Sequence, residues 1–337
     1  MKILIITDAW YPQVNGVCRT LKNLGEQLKT LNHQVEYIEP GQFLTIPMPK
    51  YNEIRLAINV WPKVGKMIKT CNPDIIHIAT EGPIGIAAKR YCVKNKLKFT
   101  TSYHTQFDKY LKLYYPYLPI KLVQKFLKNF HNQAEKILVT TKSMKEELIK
   151  MGFDENKMVI WTRGADHGSF KDAKKIPLEY KRPIYLYVGR VSIEKNIRAF
   201  LDLDLVGTKL VVGKGPDLDK LKEEYPDVVF KGERTNGELA SYFASSDVFV
   251  FPSKTDTFGI VIIEALQCGL PVAAYPVEGP KDIFEGMKTG ALNNDLRKAA
   301  LDALKINRQS CIEHAKKYTW ANCTKIFLEH TSPIIKA

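Results

Sequence analysis

The sequence lacks the segments that identify membrane-spanning, collagen-like or disordered proteins. None of its apolar runs approaches the roughly 20 residues that a transmembrane helix requires. The amino-terminal run Ile3–Ile6 is soon followed by Asp8 and has no small-residue cleavage site, which favours a first strand over a signal peptide. Hydrophobic residues make up 45% and charged residues 26% of the 337 residues, as in ordinary globular proteins. At roughly 150 residues per domain, this length predicts about two domains.

Paired cysteines are also missing. The six cysteines stand at positions 18, 71, 92, 268, 311 and 323, without a C-x-x-C pair or a histidine at metal-ligand spacing. Isolated cysteines of this kind are usually small buried apolar residues, so we expect free thiols and a cytoplasmic location.

The Asp-x-Asp runs at 202–204 and 217–219 are the remaining metal candidates, but Asp217 follows Gly-Pro and suits a helix amino terminus. The sequence therefore predicts no metal.

Acidic residues are scarce in the first half of the chain. The formal net charge is +14, and residues 1–170 carry 25 Lys and Arg against 14 Asp and Glu, whereas residues 171–337 carry 25 against 22. Such a field attracts nucleic acids, anionic membrane surfaces or phosphorylated substrates. We predict no nucleic-acid partner, because no recognised binding motif occurs and aromatic residues are not interleaved with basic ones on strands.

Strand-sized apolar runs alternate with helical stretches along almost the whole chain. The series begins with a strand over Lys2–Thr7, a helix over about Arg19–Leu31 and a strand over Gln34–Ile38, and it restarts at Ile184–Val188. Later predicted elements of the second series are Lys209–Val212, Leu218–Tyr225, Val248–Phe251, Ile260–Gln267 and Val272–Tyr275. This pattern is typical of an α/β protein with two doubly wound parallel sheets.

A polar, lysine-rich stretch separates the two series at residues 169–182. We therefore predict one Rossmann-like domain over residues 1–170 and a second over residues 171–337, with the last helix able to pack back on the first domain. Ligands of such sheets bind beyond the carboxyl ends of the strands, so the expected active site is an interdomain cleft.

The first candidate binding segment is the loop between the first strand and the first helix. It ends in Asn15-Gly16, and Gly16 would let a phosphate approach the backbone at a helix amino terminus. Asn-Gly is also a common turn dipeptide, so a plain turn is the alternative.

The second segment, residues 189–196 (GRVSIEKN), directly follows the first predicted strand of the second half. It brings Arg190 and Lys195 to the end of a parallel sheet. Two cations at that place would form charge-assisted hydrogen bonds with a diphosphate and stabilise its departure without a metal. A solvated pair of basic side chains is the alternative.

The third segment, residues 251–265, carries two carboxylates separated by seven residues, Asp256 and Glu264. Glu264 interrupts an apolar helical run, and a carboxylate there needs a partner such as ribose hydroxyls or a neighbouring cation. The amides of Thr257, Phe258 and Gly259 would face the same phosphate from the start of the helix.

Together these segments resemble the retaining glycosyltransferases of the two-Rossmann GT-B architecture, the family 4 and glycosyl transferases group 1 type that includes phosphatidylinositol mannosyltransferases. The family pattern combines a glycine loop after strand one, a Gly-Arg…Glu-Lys-Asn segment, a Gly-x-Gly-Pro turn and two acids seven residues apart. This chain shows the second to fourth at 189–196, 213–216 and 256–264. It departs from the pattern at Asn15, where a glycine is usual, and at Asp256, where a glutamate is usual. With the segments 103–105 (YHT) and 253–259, it looks most similar to the branch that glycosylates membrane lipids, such as sulfolipid synthases and glycolipid mannosyltransferases.

The resemblance implies that residues 1–170 form the acceptor-side domain and residues 171–337 the nucleotide-sugar-binding domain, and it implies roles for particular residues. Donor or nucleotide binding is implied for Asn15, Gly16, Gly189, Arg190, Lys195, Thr257, Phe258, Gly259 and Glu264. Catalytic roles are implied for His104, Asp256, Arg190 and Lys195. His104 matches the family's strand-end histidine that meets the donor sugar, and Glu264 matches the acid that holds the ribose.

The implied activity is a metal-independent, retaining transfer of a hexose from a nucleotide diphosphate sugar to a lipid or glycolipid, without a cofactor. The enzyme would be a mannosyl- or glucosyltransferase, and a nucleotide-sugar epimerase or phosphorylase of the same fold is the alternative. The nucleotide base, the sugar and the acceptor stay open.

Residues 110–130 support a lipid acceptor on physical grounds. Four tyrosines come before or at the start of a stretch with Lys121, Lys125 and Lys128 on one helical face and Leu122, Phe126 and Phe130 on another. A basic amphipathic helix suits an anionic membrane surface, here the inner face of the cytoplasmic membrane. A core helix with a solvated lysine face is the alternative.

Overall fold

The computed structural model describes residues 1–13, 15–48, 51–165, 167–331 and 333. The chain divides into two units, one comprising Met1–Gly164 with Trp320–Ala337 and the other comprising Ala165–Thr319. A six-stranded parallel sheet forms the centre of each unit. The predicted α/β class with two Rossmann-like halves is therefore confirmed.

The first unit contains eight strands and six α-helices among its described residues before the chain enters the second unit. In chain order these are β1 (Lys2–Ile6), α1 (Gly16–Thr30), β2 (Gln34–Ile38), β3 (Leu44–Met48), β4 (Tyr51–Ile58), α2 (Lys63–Cys71), β5 (Ile75–Ile78), α3 (Pro83–Lys94), β6 (Thr100–Tyr103), α4 (Phe107–Tyr114), α5 (Ile120–His131), β7 (Lys136–Val139), α6 (Lys142–Lys150) and β8 (Met158–Ile160). The sheet order is β2-β1-β5-β6-β7-β8, and β3 and β4 form a separate antiparallel hairpin.

The second unit repeats the alternation. Its elements are α7 (His167–Lys171), β9 (Ile184–Val188), α8 (Arg198–Leu201), β10 (Thr208–Val212), α9 (Leu218–Glu224), β11 (Val229–Phe230), α10 (Asn236–Ser245), β12 (Val248–Phe251), α11 (Ile260–Gln267), β13 (Val272–Ala274), α12 (Pro280–Ile283), β14 (Gly290–Leu292), α13 (Leu296–Ala303) and α14 (Arg308–Ala315). The sheet order is β11-β10-β9-β12-β13-β14. The last helix, α15 (Trp320–His330), belongs to the first unit.

The strand β1 carries apolar side chains on both of its faces from Ile3 to Ile6, because both faces of the sheet are covered. On β1, Ile3 and Ile5 pack on one side with the core of α1 and α15, and Leu4 and Ile6 pack on the other with α2 and α3. All four side chains are buried. The same division applies to β9, whose alternate residues belong to two separate clusters.

The chain leaves the first unit at Gly164, whereas the predicted boundary followed residue 170. Phe170 explains the difference, because its buried ring packs into the core of the second unit and makes an edge contact with Phe243 at 6.1 Å. The lysine-rich stretch that suggested the boundary thus lies within the second unit.

The strand orders determine where a ligand is expected in each unit. In an open parallel sheet the switch point lies between two neighbouring strands whose following connections go to opposite faces. In the second unit that point lies between β9 and β12, and in the first unit between β1 and β5. The loops after β9 and β12 contain the second and third candidate segments.

Candidate functional site

The segment after β9 turns sharply away from the sheet and carries Arg190. Gly189 has a φ of +153°, and its amide donates to Val212 O at 3.1 Å. Gly213 packs so closely on this backbone that a Cβ at that position would lie 1.9 Å from Gly189 O. The Gly-x-Gly-Pro turn at residues 213–216 therefore packs against the backbone next to Arg190 and holds it in place.

The segment after β12 leads into α11, which begins after Gly259. Gly259 has a φ of +89°, a conformation that favours glycine, and Ile262 N donates to its carbonyl at 2.9 Å. Thr257 and Phe258 are buried just before this helix start. The ring of Phe258 makes an edge contact with Tyr318 at 5.8 Å, so its side chain belongs to the core and only its backbone is suited to a ligand.

Three contacts join these two segments, although some 60 residues separate them in the sequence. Lys195 Nζ lies 2.5 Å from Asp256 Oδ1. Thr255 Oγ1 donates to Glu194 O at 3.0 Å, and Asn196 Nδ2 donates to Pro252 O at 3.0 Å. The structure thus brings Lys195 and Asp256 together at the switch point of the second unit.

Arg190 is held by a residue that the sequence reasoning did not select. Its Nε lies 3.6 Å from Glu194 Oε1, and the Glu194 side chain is fully buried. Arg190 O also accepts a hydrogen bond from Tyr187 Oη at 2.6 Å. A carboxylate four residues after an arginine could have indicated this pairing, but it required knowing that the backbone forms a short 3-10 helix over Ile193–Lys195.

Glu264 lies on α11 among buried apolar residues. Its exposed fraction is 0%, as are those of Ile262, Ile263 and Ala265. A fully buried carboxylate requires polar partners, and the ribose role of Glu264 stays a prediction.

In the first unit, Asn15 is the N-cap of α1. Its Oδ1 accepts from the amides of Val17 and Cys18, both at 3.0 Å. The side chain therefore occupies the position that an anion takes at a helix amino terminus. Gly16 is exposed and is the first residue of the helix. A phosphate role for Asn15 and Gly16 stays a prediction.

Asp8, at the end of β1, links the two loops at the switch point of the first unit. It accepts from Ile84 N at 2.8 Å, from Gly85 N at 3.1 Å and from Thr80 Oγ1 at 2.9 Å. Burial raises the pKa of Asp8 to about 6, against the lowering effect of these hydrogen bonds. Sequence reasoning did not select Asp8, which acts here as the acceptor for the start of α3.

His104 follows β6, two strands away from β1 in the sheet of the first unit. Its Nδ1 lies 3.0 Å from Arg163 Nη2, and its ring makes an edge contact with Trp161 at 5.9 Å. Burial and the neighbouring Arg163 guanidinium hold the pKa of His104 well below its usual value, so the imidazole is neutral. Arg163 was missed, although a basic residue just after a strand end is the kind of signal that identified Arg190.

A second, structural histidine lies in the same sheet. His77 is buried on β5, with Nδ1 2.9 Å from Thr100 Oγ1 and Nε2 2.9 Å from Ser102 Oγ. Burial lowers the pKa of His77 to about 3. It is a neutral core residue whose two ring nitrogens are both hydrogen-bonded.

Among the residues that the structure describes, no three His, Cys, Asp or Glu side chains come together as a metal site. Asp217 directly precedes α9, as predicted, and Asp202 accepts from Tyr225 Oη at 2.5 Å. All six cysteines are free thiols; four of them are buried as expected, whereas Cys71 and Cys268 are partly exposed.

The stretch 110–130 forms two helices, α4 and α5, joined by residues 115–119. Tyr117 is 100% exposed and Leu122 63% exposed, and Phe126 is also exposed. Phe126 and Phe130 lie on one helix face with ring centroids 6.2 Å apart, but Phe130 is buried in the core. The helix α5 therefore leaves the side chains of Leu122 and Phe126 exposed, whereas Val123, Leu127 and Phe130 pack against the core of the first unit. No described helix is both long and apolar enough to cross a bilayer.

Two family models match consecutive parts of the chain. The model for Glycosyltransferase Family 4 matches residues 14–169, and the model for Glycosyl transferases group 1 matches residues 169–317. A sulfoquinovosyl transferase of Arabidopsis thaliana is 31% identical over 98% of this chain and 73% of the relative. An alpha-monoglucosyldiacylglycerol synthase of Streptococcus pneumoniae is 27% identical over 90% of this chain and 78% of the relative.

Solved structures of the same fold cover almost the entire chain. A sucrose-phosphate synthase from Thermosynechococcus elongatus superposes with a TM-score of 0.77 at 19% identity, over 97% of both chains. The Anabaena protein HepE in complex with UDP-glucose superposes with a TM-score of 0.66 at 16% identity, over 98% of both chains. These likenesses show that the fold is GT-B.

Proposed function

The chain belongs to glycosyltransferase family 4, and from this premise we propose that it transfers a hexose from a nucleotide diphosphate sugar to a lipid or glycolipid, with retention of the anomeric configuration. The observation that carries the proposal is the junction of the segments after β9 and β12, where Lys195 and Asp256 lie 2.5 Å apart. A sheet of this topology binds its ligand at that point. The sulfoquinovosyl transferase and monoglucosyldiacylglycerol synthase named above support the lipid acceptor, and the UDP-glucose complex of HepE supports the donor class.

In the proposed reaction, the bond between the anomeric carbon and the β-phosphate oxygen breaks while a bond forms to the acceptor oxygen on the same face. The acceptor's proton passes to the leaving phosphate, so the products are the glycoside and a nucleoside diphosphate. Negative charge develops on the diphosphate, and Arg190 and Lys195 neutralise it. These fixed cations supply the charge that a metal ion supplies in other transferases, so the proposal includes no metal.

Asp256 has two roles in the proposed reaction, one toward Lys195 and one toward the sugar. In the structure it forms an ion pair with Lys195, with about a fifth of each side chain exposed. It thereby orients the ammonium before the donor binds, and it offers its second oxygen to a sugar hydroxyl. We assign the helix-start amides of Thr257, Phe258 and Gly259 to the diphosphate and Glu264 to the ribose. The roles of Asn15, Gly16 and His104 toward the donor follow from the resemblance.

The function is tested by incubating the purified chain with a lipid extract and each of UDP-glucose, UDP-galactose, UDP-N-acetylglucosamine and GDP-mannose, and by following nucleotide release. We expect release with one of these donors only when the extract is present, and a product whose α or β configuration equals that of the donor. Sugar conversion without an acceptor would instead identify an epimerase, and release that requires inorganic phosphate would identify a phosphorylase. Either result overturns the proposal.

We further propose that α5 places the enzyme on an anionic membrane, peripherally on the cytoplasmic face. Lys121 and Lys125 are exposed beside the uncovered side chains of Leu122 and Phe126. Apolar side chains flanked by lysines are the composition that binds at a lipid headgroup layer.

Replacing Lys121 and Lys125 by glutamine is expected to weaken binding to phosphatidylglycerol-containing vesicles by about 30-fold, since each lysine near such a surface contributes about 1 kcal/mol. Vesicle co-sedimentation measures this, and the loss should shrink as salt is added. The matched control is Lys174→Gln with Lys175→Gln, which removes the same charge from an exposed site of the second unit. Equal losses in both variants would show that net charge, and not α5, determines binding.

A further inference from the structure

Arg163 makes a defined set of contacts around His104. Arg163 is 3% exposed, and its guanidinium donates from Nη1 to Trp161 O at 2.8 Å and lies 3.0 Å from His104 Nδ1 through Nη2. The guanidinium carbon is 4.3 Å from the centroid of the Trp161 ring, at cation-π distance. The guanidinium is therefore fixed by a hydrogen bond, by the cation-π contact and by burial.

Trp161, whose ring lies against the Arg163 guanidinium, is itself held by the last helix, α15. Trp161 is fully buried, and its indole Nε1 donates to Cys323 O of α15 at 2.9 Å. Phe327 of the same helix lies against the indole with ring centroids 5.7 Å apart. The return of α15 to the first unit thus supports Trp161, which supports Arg163.

The contact between Arg163 and His104 determines which imidazole nitrogen carries the proton. A guanidinium has only donors, so Nδ1 of His104 must accept with a lone pair. A neutral imidazole then carries its single proton on Nε2, and a doubly protonated ring is incompatible with the contact. The neighbouring positive charge adds to burial in keeping the ring neutral.

We propose that Arg163 is a positioning residue that holds His104 as the neutral Nε2–H tautomer, so that His104 serves as a hydrogen-bond donor to the sugar and not as a base. The proposal rests on the proposed function for the role of His104. It goes beyond that function by assigning the direction of the hydrogen bond: Nε2–H donates, and a hydroxyl oxygen of the sugar accepts.

The tautomer can be read directly from the full chain labelled with 15N in its histidine side chains, without substrate. The chain has seven histidines, so the His104 signals are identified by their loss in His104→Gln. We expect the 15N shifts of an unprotonated Nδ1 and a protonated Nε2 near pH 7. A protonated Nδ1 in the unmodified protein overturns the proposal, and this reading does not depend on the folding of any variant.

Variants of Arg163 then test the cause. Arg163→Met removes the donor, and we expect the Nδ1-protonated form to appear and kcat to fall by about 10- to 100-fold with KM for the nucleotide sugar little changed. Arg163→Lys keeps a donor and should restore both the tautomer and part of kcat. An unchanged His104 spectrum in folded Arg163→Met contradicts the proposal. If the spectra are as expected but no nucleotide sugar is turned over, the proposed function fails and the assignment of the tautomer stands.

Discussion

Replacing Arg190 by alanine is expected to lower kcat by about a thousandfold or more, with little loss of affinity for the nucleotide part of the donor. Charge develops on the diphosphate mainly in the transition state, so a cation aimed at it stabilises the transition state more than the ground state. Removing one preorganised donor of this kind typically costs about two to three orders of magnitude, and a charged donor costs more than a neutral one. Single-turnover assays separate this effect from binding and product release.

Arg190→Ala also removes the ion-pair partner of a buried carboxylate, so its effect on stability must be measured separately from its effect on kcat. Glu194 is fully buried and lies 3.6 Å from the Arg190 guanidinium. Loss of one partner of a buried ion pair can cost about 3–5 kcal/mol of folding free energy. The double variant Arg190→Met with Glu194→Gln replaces both charges and should recover stability without recovering turnover.

Arg297→Ala is the matched control for the loss of an arginine. Arg297 is exposed in the second unit and donates to Asp204 O at 2.7 Å, in the loop that precedes β10. Its removal should leave kcat within about twofold, since surface substitutions of this kind change stability by about 0.5 kcal/mol or less. Near-normal turnover in folded Arg190→Ala would remove the diphosphate assignment.

The bounds of three strands and one helix could be predicted closely from the sequence. The bounds of Gln34–Ile38, Ile184–Val188, Val248–Phe251 and Ile260–Gln267 are confirmed residue by residue. Three of these segments are continuous apolar runs bounded by polar residues or glycine, and such runs report burial on both faces of a sheet or within a core.

Elements that depend on distant contacts were not predicted. The hairpin of β3 and β4 has a mixed apolar and polar pattern because the structure covers it only in part, with Leu44 and Ile46 exposed. The last helix, α15, was expected to be able to pack back on the first domain, and it belongs to the first unit. The helices α13 and α14 were missed because their buried faces consist of alanines with one leucine, one cysteine and one histidine. Their burial is decided by the sheets on which they pack.

At the candidate site, too, the sequence predicted single residues but not contacts between distant ones. Arg190 and Lys195 were recognised as candidate binding residues because they follow a predicted parallel strand, and the carboxyl end of such a strand can be located from the local sequence. The pairing of Lys195 with Asp256 and of Arg163 with His104 depends on strand order, since these partners are about 60 residues apart. The sequence therefore indicated most of the candidate residues in the second unit, but not the pairs in which they act.

Glu264→Gln is expected to raise KM for the nucleotide sugar by about 10- to 100-fold while kcat falls much less. A carboxylate can accept from two ribose hydroxyls, and hydrogen bonds to a charged group contribute about 1.5–3 kcal/mol each. Glutamine keeps the size of the side chain and one acceptor oxygen but loses the charge and the second acceptor. The matched control is Glu285→Gln, because Glu285 is an exposed glutamate of the same unit.

A donor that lacks the ribose 2′-hydroxyl makes this test specific to the ribose. If Glu264 accepts from that hydroxyl, the 2′-deoxy donor loses about tenfold or more in kcat/KM with the unmodified enzyme but little further with Glu264→Gln, because the contact is already weakened in the variant. The two changes then combine as a thermodynamic cycle whose coupling energy belongs to the contact between them. If the 2′-deoxy donor and Glu264→Gln instead lower kcat/KM by factors that multiply, Glu264 stabilises α11 rather than the donor. A fully buried carboxylate can also affect binding through the helix that carries it. The free energy of unfolding of Glu264→Gln distinguishes these cases, because only the structural role predicts that it falls together with the affinity.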